Sequence, residues 1–179
     1  MRSLILLAES RASLFPSQDN PLTARSPRSL LTVDPETGTT YCSTSIHGAN
    51  AVNRVQEVQG FFTVTEVCSF PDTEAMAIVG LQWLPDSQAL CVALSGGDIV
   101  LARIDEGVED IVGTVESGIL SMDWSPDQEL VVIVTGIATI LEMTKDFDLI
   151  AEVPIHVEEK GEGMDDAKYG GGGGSGLWS

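Results

Sequence analysis

Histidine and cysteine are the side chains best suited to hold a metal or move a proton near neutral pH, and the chain has few of either. His47 and His156 lie about 110 positions apart, with no cysteine or carboxylate at ligand spacing from either. A zinc site gathers several such donors, commonly as close pairs, so each histidine reads as a surface or strand-end residue. Cys42, Cys68 and Cys91 are odd in number and form no Cys-x-x-Cys pair. They read as free core thiols from a reducing compartment. No serine stands in Gly-x-Ser-x-Gly, and no histidine is placed by a local motif to activate one. Asp105-Glu106 and Glu109-Asp110 gather carboxylates, but the order of acids, glycine and closing glutamate of an EF-hand loop is missing. That cluster reads as a solvated loop. The run Gly170 to Gly174 lacks the Lys-Ser/Thr of a phosphate loop. Trp83 and Trp124 could stack a ligand, yet each closes an apolar run and reads as packing. The sequence presents no catalytic, cofactor-binding or metal-binding residue.

The elements that would position any such chemistry lie between Gly80 and Met143, where one pattern is written twice. Gly80-Leu-Gln-Trp83-Leu-Pro85-Asp86 is followed 41 positions later by Met122-Asp-Trp124-Ser-Pro126-Asp127. Ser95-Gly96 and Thr135-Gly136 are 40 apart, which implies one residue lost or gained in the hairpin between. A period of about 40–45 residues with several short strands per unit is the signature of WD-repeat propeller blades. Ile78 to Trp83 and Ile119 to Trp124 read as first strands, each closed by a Pro-Asp turn. Leu90 to Leu94 and Leu130 to Val134 are nearly unbroken apolar runs, as expected of strands covered on both faces. Ile99 to Ile104 and Thr139 to Met143 are third strands; Ile111 to Val115 and Leu149 to Ile155 are fourth. Four strands per period make a blade. β-Branched residues dominate these runs and no helical periodicity competes. Packing at the end of an inner strand also implies that truncating Trp124 to alanine removes ~3–5 kcal/mol of stability.

The fold class is therefore all-β, a partial WD-repeat-type β-propeller. Two blades are clear, at about 76–115 and 117–156, and 179 residues supply at most four. The incomplete propeller takes in residues 1–156, and 157–179 reads as a disordered tail, acidic and then Gly-rich. Upstream, Ser3 to Ala8 reads as an opening strand and Ser10 to Ser29 as a Pro-broken loop. Leu30 to Val33 and Thr39 to Ser43 read as a hairpin, the outer half of an earlier blade. Val52 to Val58 and Phe61 to Phe70 are further strands, broken at Gly60.

The net charge of −18 is carried almost wholly by the later chain. Five arginines balance five acids up to residue 60; beyond it only Arg103, Lys145, Lys160 and Lys168 oppose 22 acids. Nucleic-acid affinity rests on Lys and Arg displacing counterions, so direct RNA or DNA binding by this segment is not expected. The apolar run near Met1 is too short for a secretory core and no stretch reads as a membrane span. The expectation is a soluble, intracellular protein.

The passages Met122-Asp-Trp124-Ser-Pro126-Asp127-Gln-Glu-Leu130-Val131 and Met143-Thr-Lys145-Asp-Phe147 resemble a known family. So, more weakly, do Val33-Asp34-Pro35 and Val92-Ala93-x-Ser95-Gly96-x-Asp98. The chain is similar over residues 1 to about 156 to the large scaffold subunit of the Elongator complex, the Elongator complex protein 1 family. The resemblance implies the N-terminal part of the first WD-repeat propeller, cut short, at the start of a much longer scaffold. It implies a complex that modifies the wobble uridine of certain tRNAs, with the chemistry in another subunit. No catalytic or tRNA-contacting residue carries over onto these positions. Partners are then protein subunits of that complex, with no membrane and no small-molecule ligand, and the location cytoplasmic, with the nucleus also open. Two other readings compete: a generic WD-repeat adaptor, and a propeller enzyme with acids converging on the central channel. Only Asp98 approaches the latter description.

Overall fold

The structure, a computed structural model, describes residues 30–46, 49–71 and 73–156. The expected strand at Ser3 to Ala8, the loop at 10–29 and the tail at 157–179 lie outside the described residues. Twelve strands form three four-stranded antiparallel sheets, each with its strands in sequence order. The first blade holds β1 (Leu31–Val33), β2 (Thr40–Ile46), β3 (Ala49–Val58) and β4 (Phe61–Pro71). The second holds β5 (Ile78–Leu84), β6 (Ala89–Leu94), β7 (Asp98–Arg103) and β8 (Val108–Thr114). The third holds β9 (Ile119–Trp124), β10 (Leu130–Thr135), β11 (Thr139–Thr144) and β12 (Leu149–Pro154). A 3₁₀ turn, Glu74–Met76, links the first two blades. The protein is all-β and the sheets make an open, partial propeller.

The innermost strands β1, β5 and β9 touch in succession. The Leu31–Val33 hairpin, expected as the outer half of its blade, is thus the inner half. Its burial gives the reason: Thr32 and Tyr41 are buried against the second blade, while Phe61 and Phe62 of β4 are exposed. The strands of that outer hairpin turn through Gln59 (φ 53°) and Gly60 (φ 82°), the left-handed pair a two-residue hairpin needs.

Pairing register also corrects the repeat. Leu90 pairs with Ala102 and Val131 with Met143, so both hairpins have the same length. Asp98 and Thr139 open the third strands, Val108 and Leu149 the fourth, and left-handed Gly97 and Ala138 coincide. All stand 41 apart, as Trp83 and Trp124 do. No residue is lost; Ser95-Gly96 matches Gly136-Ile137, and the 40-residue echo of the Ser/Thr-Gly pairs is fortuitous. Gly97 has a local reason: at φ 114° an added Cβ would stand 2.0 Å from the Val115 carbonyl oxygen. β8 begins at Val108, three residues before the expected Ile111, because the left-handed turn at Gly107 closes the hairpin early.

Two cores lie between the blades. One joins Tyr41, Val52 and Phe70 to Leu81, Trp83, Leu90 and Val92; the other joins Cys91, Ala93 and Ile99 to Ile119, Met122, Val131 and Ile133. Every residue of β6 is buried, even-numbered side chains toward the first blade and odd-numbered toward the third. The apolar run Leu90 to Leu94 behaves as its composition implies. The run Leu130 to Val134 does not: Val131 and Ile133 are buried but Val132 is exposed, because among the described residues the third blade has a neighbour on one face alone.

Trp83 is 4 % exposed in the first core, while Trp124 is only half-buried. The larger loss belongs to Trp83. Urea unfolding should show Trp83→Ala destabilised by ~3–5 kcal/mol and Trp124→Ala by distinctly less. Equal losses, or the reverse order, would contradict this packing.

Candidate functional site

Trp83 is where the blades are joined. Its backbone N–H donates to the Thr32 hydroxyl of β1 at 2.9 Å. Its ring lies over Tyr41 of β2, with centroids 5.1 Å apart and planes 15° off parallel. From the other side, the side-chain amide of Gln128 in the third blade donates to the Trp83 carbonyl at 3.2 Å. The indole N–H is buried and short of a formal hydrogen bond. It still adds a small pull on the carboxylate of Asp34, in the turn after β1.

Asp34 is itself buried at 4 % exposure. It takes the Thr37 hydroxyl and, at 3.0 Å, the Glu36 backbone N–H. The Thr37 hydroxyl holds the carboxyl below the usual aspartate range; burial pulls the other way, and the Glu36 and Thr37 amides reinforce the lowering. Asp34 occupies the place of Leu84 and Ser125, each directly before the turn proline. Thr32, Asp34, Tyr41 and Gln128 were not legible as a joint in the sequence. The signal was there in Val33-Asp34-Pro35-Glu36, a third Pro-acid turn, but it stands 50 positions before Pro85 and has no tryptophan.

The candidate chemical residues stay apart. His156 is exposed, and His47 and Gly170 to Gly174 lie outside the described residues. All three cysteines are buried and free; burial pushes the thiols of Cys68 and Cys91 up to about 12, which leaves them unreactive. Asp110 is paired with Arg103 at 2.7 Å on the outer hairpin of the second blade. Asp98 sits on the third strand, away from the inner ends, and accepts the Thr114 hydroxyl at 2.9 Å. Among the described residues no three His, Cys, Asp or Glu gather as metal ligands, and no helix is long and apolar enough to cross a membrane.

What the stack presents is a sheet face. On the outer side of the third blade, Asp123, Val132, Glu142 and Ala151 stand in one row across four strands. The adjacent row is Ser121, Val134, Ile140 and Val153. Val132 and Val153 are exposed, as is Leu120 beside them at 62 %. Among the described residues nothing covers this apolar face, and two carboxylates flank its central valine.

Residues 1–174 match the family described as ELP1 first N-terminal beta-propeller. The chain belongs to this family. Three curated relatives carry the name Elongator complex protein 1. That of Oryctolagus cuniculus is 40% identical over 119 residues, covering 66% of this chain and 9% of the relative. That of Mus musculus is 44% identical over 93 residues, 52% of this chain and 7% of the relative. That of Schizosaccharomyces pombe is 43% identical over 82 residues, 44% and 6%. The chain thus spans less than a tenth of the length of the relatives it matches. A crystal structure of a protein from Lactobacillus plantarum shares the fold, with TM-score 0.51 and 13% identity over 70% of this chain and 41% of that one.

Asp34 makes the joint sensitive to pH. Its folded pKa is depressed, so its contribution is complete above the unfolded value of about 3.9 and is lost as pH falls through the folded one. Asp34→Asn should therefore be less stable than wild type near neutral pH, with the gap closing below about pH 4. Urea midpoints across that range check it; a gap that persists or widens in acid would contradict the assignment.

Proposed function

We propose that this chain is a non-catalytic scaffold segment of the Elongator complex. It binds protein subunits of an assembly that modifies the wobble uridine of tRNA. The family match over residues 1–174 carries this reading. The site geometry supports it: the inner strands spend their side chains on packing, with Thr32, Trp83 and Met122 turned into the inter-blade cores. The open face of the third blade offers protein-sized contact, and the part of the chain that matches the Oryctolagus cuniculus relative makes up only 9% of that relative. A role in holding tRNA directly is not part of the proposal, since 22 acids oppose 4 basic residues beyond position 60. The same reading places the protein in the cytoplasm, with the nucleus second, and without membrane or small-molecule partners.

Affinity purification of the tagged chain from eukaryotic cells tests it. Elongator subunits should be enriched over a tag-only control, and Leu120→Asp or Val132→Asp on the open face should lower their recovery severalfold. Recovery of folded chain without any Elongator subunit would refute the assignment to this complex.

A further inference from the structure

The two junctions between blades follow one plan, and the second lacks a part. At the first, Tyr41 covers Trp83. Register identifies the matching position at the second. Tyr41 pairs with Thr32, two residues before Asp34; Cys91 pairs with Gln82, two before Leu84. Each pairing partner stands three positions before its turn proline, Pro35 or Pro85. Cys91 therefore holds the place of Tyr41, and Leu84 that of Asp34. Like Tyr41, Cys91 faces the next blade, where its sulfur lies 3.9 Å from that of Met122.

A thiol is shorter than a phenol by a whole ring, and Leu101, the cross-strand partner of Cys91, borders open space. Between the turn ends of the second and third blades is a cavity of about 220 Å³. Leu84, Leu101 and Trp124 wall it, with exposed Asp86, Lys145 and Asp146 beside them. Apolar cavities of about 150 Å³ admit benzene, so a phenyl or phenol group fits. Trp124 has an edge contact with Phe147, centroids 5.9 Å apart at 88°, and among the described residues no stacked partner such as Trp83 has. Lys145 is shared between Glu129 at 3.0 Å and Asp86 at 3.9 Å, so with Asp146 three carboxylates stand around one cation and the rim stays negative.

We infer that the junction between the second and third blades is a binding slot for a tyrosine or phenylalanine side chain of a partner polypeptide, with basic residues beside that ring. The ring stacks on Trp124 as Tyr41 does on Trp83, and the flanking cations meet Asp86 and Asp146. This deepens the partner-binding reading and rests on it only for the source of the ring. The test below contains no Elongator subunit, so either idea can fail without the other.

The experiment titrates the ¹⁵N-labelled chain with N-acetylated tripeptide amides and follows the tryptophan indole N–H resonances. Lys-Tyr-Lys should shift the Trp124 resonance saturably and leave that of Trp83 in place. Its Kd should be about fivefold lower than that of Lys-Leu-Lys, as one stacked aromatic contact implies. Glu-Tyr-Glu should bind more weakly than Lys-Tyr-Lys. Cys91→Tyr supplies the missing ring from within and should abolish the response; Leu101→Phe fills the slot from its wall if that variant fails to fold. An equal response to the tyrosine and leucine peptides, movement of Trp83 alongside Trp124, or no response at all would overturn the slot.

Discussion

The contact between Trp83 and the first blade is the constraint on which the fold depends. A four-stranded sheet with two apolar faces cannot bury either by itself, so blades are stable only as a stack. Trp83 fixes the stack because it is held through backbone and ring together. Losing the Thr32 acceptor would leave a buried backbone N–H unpaired, at about 1–3 kcal/mol. The stack on Tyr41 adds about 0.5–1.5 kcal/mol beyond its buried area. Set against the about 5–15 kcal/mol that keeps a whole domain folded, this one residue decides whether two sheets act as one body. Gln128 then reaches the Trp83 carbonyl from the third blade, so the same residue touches all three.

Close approach of the inner strands sets the second limit. At Gly80 of β5 an added Cβ would stand 2.6 Å from the Cβ of Met122 on β9. Glycine there lets Met122 reach across to Cys91, and the second core closes around them. The arrangement leaves its asymmetry at the ends. The middle blade is covered on both sides, whereas the third shows Leu120, Val132 and Val153 to solvent. A net charge of −18, with Asp123 and Glu142 set into that face, opposes pairing of two identical copies through it.

Much of this was legible in the sequence, and the failures have physical causes. Trp83-x-Pro85-Asp86 and Trp124-x-Pro126-Asp127 announced two blades because the same turn chemistry and packing recur at one period. The first blade was hidden: its long β3 and β4 stretch the spacing to 50, and Val33 replaces the tryptophan. Leu130 to Val134 misled because composition records what a strand is suited to cover, while burial depends on which neighbour is present. Ser/Thr-Gly misled because two turns of similar composition slid by one residue. The aromatic slot could not be read at all, since it is the difference between Tyr41 and Cys91 at positions that only pairing register makes equivalent.

Native-state hydrogen exchange, read strand by strand, tests most directly whether the protein is an open stack centred on Trp83. The backbone amide of Trp83 and those of β6 should exchange slowest, through global unfolding only. Protection should fall across the third blade and be least on β12, whose outer side has no cover among the described residues. Protection of β11 and β12 equal to that of β6, or rapid exchange at the Trp83 amide, would contradict the open stack and its central joint.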